Sequence, residues 1–120
     1  MKSKSKNKKP HILRFRAVNK DTFHALRDGR KKIETRAATE KYRAFKKGDA
    51  VKFVCGRESF TRTLKSVECF SSIGALFKKY TPQEVNPRNK TVAEARTMYY
   101  SFPGYREKIK KLGLVAWTLK

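Results

Sequence analysis

The stretch Gly29-Arg30-Lys31-Lys32-Ile33-Glu34-Thr35-Arg36 places four cationic side chains and one carboxylate within eight residues. It falls where a short helix gives way to a strand, and such a cluster suits a polyanionic ligand. Strand side chains alternate faces, so Glu34 and Arg36 project from one face about 7 Å apart. At that spacing they can pair with each other or grip one ligand. Lys31 lies in the turn and is not fixed by the pleat.

A lysine beside a carboxylate can move protons if burial lowers the lysine pKa. Arg30, Lys32 and Arg36 also favour a neutral Lys31, whereas Glu34 favours the charged form. Binding needs less of the same residues. Arg36 can fork onto a phosphate, Lys31 can add a point charge, and Glu34 can accept from an exocyclic amine of cytosine or adenine. The plainer alternative is a Glu34–Arg36 ion pair that only braces a wall.

With 31 Lys+Arg against 10 Asp+Glu in 120 residues, the formal net charge is +21. Self-repulsion at that level points to a polyanionic partner, RNA first. An anionic membrane is the rival, but the sequence has no apolar run of ~18 residues, and Met1 to Pro10 lacks the apolar centre of a signal peptide. The expectation is therefore a soluble cytoplasmic protein, or a nuclear one in a eukaryote. Cys55 and Cys69 read as free, buried thiols. Together with His11 and His24 they lack the short pairwise spacing of zinc ligands, so neither a metal nor any other cofactor is expected.

Residues 1–10, with Lys2, Lys4, Lys6, Lys8 and Lys9, read as a flexible basic arm. Residues 11–120 read as one domain, whose eight Phe and five Tyr can fill a core. Ile12 to Val18 alternates as a half-buried strand with Arg14 and Arg16 on its wet or ligand-facing side. Lys20 to Asp28 follows as a helix closed by Gly29, then a strand from Lys32 to Ala37 and a helical turn at Tyr42 to Phe45. Ala50 to Cys55 and Ser59 to Phe70 form a hairpin, with a bulge where the apolar parity shifts after Leu64. Ser72 caps one helix, Pro82 to Pro87 interrupts regular structure, and Thr91 and Glu94 form a capping box for a second. A short basic helix from Arg106 to Lys111 leads to a closing strand, Leu114 to Leu119. The pattern predicts an α+β fold: a small, partly closed β-barrel of five or six strands with about three flanking helices.

In this order the residues resemble the ASCH domain, a branch of the PUA-like fold. Gly29, Lys31, Glu34 and Arg36 meet the G-x-K-x-x-E-x-R pattern, Lys47-Gly48-Asp49 matches its turn, and Leu114 to Leu119 its closing strand. The resemblance spans roughly residues 12–119. It implies a PUA-like β-barrel with a cleft beside the motif strand and a role in binding RNA. Some relatives act as amidohydrolases on N4-acylated cytidine nucleosides, and others are linked to RNA cleavage. On that alternative Lys31 and Glu34 are the catalytic pair. The amidohydrolase branch, however, carries threonine where this chain has Glu34, and Thr35 and Thr39 fall at the wrong parity to replace it. An ungapped reading puts Arg88 at that branch's further acidic position, with Glu84 and Glu94 as displaced candidates.

Single-stranded or looped RNA exposes bases that stack on aromatic rings. Tyr42 and Tyr105 lead the candidate platforms over Tyr99, Tyr100 and Phe102, because both sit in irregular, basic segments. The expected ligand-binding set is Gly29, Arg30, Lys31, Glu34, Arg36, Tyr42, Arg43, Lys46, Lys47, Tyr105 and Arg106. A nucleoside-type small molecule is the alternative ligand.

Overall fold

The computed structural model describes residues 9–120, so all but the last two positions of the basic arm lie outside the described residues. Its strands are β1 (His11–Arg14), β2 (Ile33–Ala37), β3 (Ala50–Cys55), β4 (Glu58–Phe70) and β5 (Leu114–Leu119). The helices are α1 (Lys20–Asp28), α2 (Glu40–Arg43), α3 (Ile73–Lys79), α4 (Pro82–Val85), α5 (Val92–Ser101) and α6 (Tyr105–Leu112). The fold is α+β, and its five-stranded sheet curls into a half-barrel in the order β1-β3-β4-β5-β2. β1 runs parallel to β3, and the other pairings are antiparallel.

Apolar alternation builds the curl. In the β3–β4 hairpin Phe53 lies opposite Phe60, their rings stacked with centroids 4.8 Å apart. Leu13, Phe15, Val51, Phe53, Leu64, Val115 and Trp117 fill the concave side. The opposite face of β5, Leu114 and Ala116, joins Ile33 under Leu76, Val85, Tyr99 and Ile109 from the helical layer. β5 is thus covered on both faces, which is why Leu-Val-Ala-Trp reads as a continuous apolar run. Gly113 enters this strand with φ +77°, and a Cβ there would lie 2.2 Å from the Phe70 carbonyl oxygen. Only glycine fits that close approach.

Three sequence expectations change. The first strand ends at Arg14 rather than running to Val18, because the chain turns through a 3-10 segment at Ala17–Asn19 that leaves Val18 exposed. Among the described residues six helices replace the expected three or so. Two of the extra ones are single turns, and α4 arises inside the supposed Pro82 to Pro87 break, where Pro82 occupies the first turn and Thr81 and Glu84 form a capping box. Cys69 is exposed, whereas Cys55 is buried as expected. The bulge after Leu64 is present between Leu64 and Ser66. Among the described residues no helix is long and apolar enough to cross a membrane.

The strand order leaves β1 and β2 as the two edges of the half-barrel, so they face each other across an open seam. Arg36 crosses it: its Nη2 donates to the Arg14 carbonyl at 3.4 Å, and its guanidinium sits 4.9 Å from the Phe15 ring centroid. A charged side chain, rather than a backbone ladder, spans the gap.

Candidate functional site

α1 ends at Leu26–Asp28, and Gly29 at φ 83° reverses the chain so that the Lys31 N–H donates to the Ala25 carbonyl at 3.0 Å. That turn drives the Lys31 side chain inward, leaving it 2% exposed. Its Nζ donates to the carbonyls of Ile33 and Val85 and lies 3.4 Å from Glu34 Oε1. Glu34 is itself buried, and its Oε2 accepts from Arg36 Nε at 3.0 Å. Lys31, Glu34 and Arg36 therefore form one chain of charges, with the carboxylate between two cations. Burial pulls the Lys31 pKa below the ordinary lysine value; Glu34 opposes that and Arg36 adds to it. Burial also lowers the Arg36 value, but Glu34, Tyr42 and Tyr105 more than offset it, and the net shift is upward.

These residues line a cleft of ≈480 Å³. A pocket of that volume is in the range that takes a small organic ligand. One wall is Arg14, Phe15 and Arg16 from the end of β1; another is Lys31, Glu34, Thr35 and Arg36. The segment 85–89 and the C-terminal half of α5, with Met98, Tyr99 and Ser101, complete it with Phe102, Pro103 and Tyr105. Five lining side chains are cationic, Arg14, Arg16, Lys31, Arg36 and Arg88, whereas Glu34 is the single carboxylate. The field inside the cleft is thus positive, focused by its apolar walls, and interrupted at one buried acceptor.

Thr35 reaches the cleft although its parity is opposite to that of Glu34, which corrects the expectation that parity excludes it. The cause is the position of β2 at the sheet edge, where both faces of the strand border the same opening. Thr35 Oγ1 hydrogen-bonds the hydroxyl of Tyr99, whose pKa burial pushes upward. Backbone alternation points the same way. Lys32 and Ala38 bond towards β5, so Ile33, Thr35 and Ala37 turn their amide edges outward. Ile33 accepts from Lys31 and Ala37 donates to the Tyr105 hydroxyl at 3.4 Å, while the Thr35 amide edge lies between them on the cleft side.

Of the expected ligand-binding set, Lys31, Glu34, Arg36 and Tyr105 come together in the cleft, joined by Tyr99 and Phe102 from the other candidate platforms. Gly29 shapes the turn, and Arg30 lines a smaller neighbouring hollow. Tyr42 lies beneath Arg36, edge-on to Trp117 at 5.6 Å between centroids, and so packs the core wall. Arg43 donates to the carbonyls of Ala38 and Leu112 at 2.9 and 3.1 Å, tying α2 to the end of α6. Lys46 and Lys47 are exposed in the turn before β3, and Arg106 covers the Tyr100 ring at 5.1 Å. None of these last four lines the cleft.

Sequence reasoning did not place Asn86 and Asn89, whose amides approach the sulfur of Met98, an inward residue of the expected helix, at 3.3 and 3.4 Å. The two asparagines lie in and after a segment without periodicity. Arg14 and Arg16 did carry a signal, as the cationic face of an alternating strand. Glu84 and Glu94 are engaged in helix caps, by the amides of Thr81 and Lys90 respectively, and stay out of the cleft, which Arg88 lines instead.

Fold and site together define a small α+β half-barrel with a positively charged cleft at its seam. Two solved structures are similar to it over nearly their whole lengths. The crystal structure of hypothetical protein PH0355 is 27% identical, with a TM-score of 0.80, covering 93% of this chain and 98% of that one. The solution NMR structure of protein PF0455 from Pyrococcus furiosus is 26% identical, with a TM-score of 0.73, covering 93% and 96%. No family model matches the sequence, and no curated protein does.

Proposed function

We propose that this protein is an RNA-binding module of the ASCH, PUA-like type, which takes a nucleotide of single-stranded or looped RNA into the cleft at the barrel seam. One observation carries the reading: five cationic side chains and a single carboxylate line a ≈480 Å³ cleft in a chain of net charge +21. Arg14, Arg16, Arg36 and Arg88 suit phosphate oxygens, and Glu34, held between Lys31 and Arg36, presents a fixed acceptor to a base amine. Tyr105 and Phe102, packed edge to face at 5.2 Å, supply the aromatic surface of the cleft that a base can stack on.

Binding then falls steeply with salt. Arg14 and Arg16 are exposed at the mouth, so exchanging both for Gln leaves the core intact. For a single strand each lost phosphate contact lowers the slope of log affinity against log salt by about 0.7. The double variant should flatten the slope by about 1.4 in a polarisation titration with single-stranded RNA. A wild-type affinity independent of salt contradicts the reading.

The hydrolase alternative draws on Lys31, whose pKa burial lowers, and on Glu34 3.4 Å from it in the cleft wall. Two features favour binding over it. The Lys31 Nζ faces three acceptors, which an ammonium satisfies and a neutral amine, with two N–H bonds, cannot. Arg88, which an ungapped reading puts at the amidohydrolase pattern's acidic position, lines the cleft, whereas the displaced candidates Glu84 and Glu94 do not. Release of acetate from N4-acetylcytidine by wild type, lost in Lys31→Ala, would reverse the preference.

A further inference from the structure

Beside the cleft, between α1 and the loop after α4, lies a second hollow of ≈250 Å³. It shares Thr22, Asn86 and Arg88 with the cleft, so the two spaces meet along one wall. Its cations are Arg30 and Arg88, and its acid is Asp21. Arg88 is largely exposed and its guanidinium is held by Asp21. Arg30 is also exposed, 3.4 Å from Asp28. Exposed pairs of this kind are weak, so either guanidinium can leave its carboxylate for a better anion at little cost.

We propose that this hollow is a phosphate subsite: it receives the phosphodiester that joins the nucleotide in the cleft to its neighbour, with Arg30 and Arg88 forking onto the oxygens. The proposal rests on the nucleotide-binding reading of the cleft and adds a direction to it. The hollow is about half the volume of the cleft, with room for a phosphate and its flanking sugar, and its two guanidinium groups favour the charged linkage. The bound strand leaves the cleft past Arg88, between Thr22 on one side and Asn86 on the other. Arg30, the cation of the Gly29–Arg36 stretch that pairs with Asp28 instead of Glu34, thereby acquires a ligand of its own. Guanidinium groups bind phosphate through paired, charge-assisted hydrogen bonds, so the charge of one linkage is what the subsite reads.

The test uses cytidylyl-(3′,5′)-adenosine and its methylphosphonate analogue, which differ in the charge of the single linkage. Wild type should bind the phosphodiester about tenfold more tightly, as charge-assisted hydrogen bonds predict. Arg30→Gln should reduce that ratio, and Arg30→Gln with Arg88→Gln should bring it near one. A tenfold ratio that survives in the double variant overturns the subsite, as does a ratio near one in wild type while longer RNA still binds. If wild type binds neither the dinucleotide nor longer RNA, the cleft reading fails together with the subsite.

Discussion

The two sides of the half-barrel solve opposite problems. On the closed side, β3, β4 and β5 bury Val51, Phe53, Leu64, Val115 and Trp117 completely, with aromatic stacking and no charged group among them. At the seam, β2 and the turn before it bury Lys31, Glu34 and Thr35 and half-bury Arg36, and each finds a specific polar partner. Among the described residues the fully buried side-chain nitrogen without a partner, Trp117 Nε1, belongs to the apolar side. Stability therefore comes from the closed side, where apolar area leaves water. The seam gives some of it up to keep charges dehydrated and fixed. A cleft built this way has its cations oriented before any ligand arrives.

The sharpest way to break that division is to damage the closed side alone. Phe53→Ala removes a ring stacked on Phe60 at a fully buried position. It should lower unfolding free energy by about 4 kcal/mol, the range for truncating a core phenylalanine. The affinity of the remaining folded protein for RNA should not change. Urea denaturation and polarisation titration, run on the same sample, separate the two. A loss of affinity with little loss of stability would mean that the hairpin shapes the cleft directly.

Charge removal at the seam comes next. Glu34→Gln preserves shape but leaves two cations, Lys31 and Arg36, without their shared counter-charge. Breaking a buried ion pair by neutralising one member costs about 3 kcal/mol, so the variant should be destabilised nearly as much as Phe53→Ala. Unlike that variant it should also lose discrimination between amine-bearing bases and uracil. Were Glu34→Gln as stable as wild type, the carboxylate would not be holding the network.

How far this arrangement was legible in the sequence depended on the kind of signal. Period-two alternation in Val51, Phe53 and Cys55 located the hairpin, and the parity shift after Leu64 located its bulge, because one face of each strand is apolar. Gly29, Lys31, Glu34 and Arg36 announced the charged strand by composition. What remained hidden has a physical reason in each case. α4 is a single turn, too short for periodicity, and it depends on a cap that overrides the helix-breaking look of its prolines. Thr35 seemed excluded because pleat parity counts only the two faces of a strand, whereas β2 is an edge strand whose free backbone edge also borders the cleft. Arg88, Asn86 and Asn89 are brought to the cleft by the packing of α4 and α5, which no local pattern encodes. Tyr42 misled for the converse reason: a basic, irregular neighbourhood disguised a ring that packs on Trp117.

The smallest effect tests how much the seam gives up. Because burial holds the Lys31 pKa below 10.5, the folded protein binds that proton less tightly than the unfolded chain does. Between the folded value and 10.5 the unfolded state carries more protons, so stability rises with pH across that window, by at most about 1.4 kcal/mol per unit for one group. Tyr99 acts with the opposite sign: its raised pKa stabilises the fold below 10, and that contribution is lost as pH climbs further. Comparing wild type with Lys31→Met cancels Tyr99, and the difference in unfolding free energy should move in favour of wild type as the pH rises towards 10.5. A difference flat in pH across the alkaline range would show that Glu34 and the two carbonyls compensate Lys31 in full, leaving the seam no less stable for its charges than the apolar side is without them.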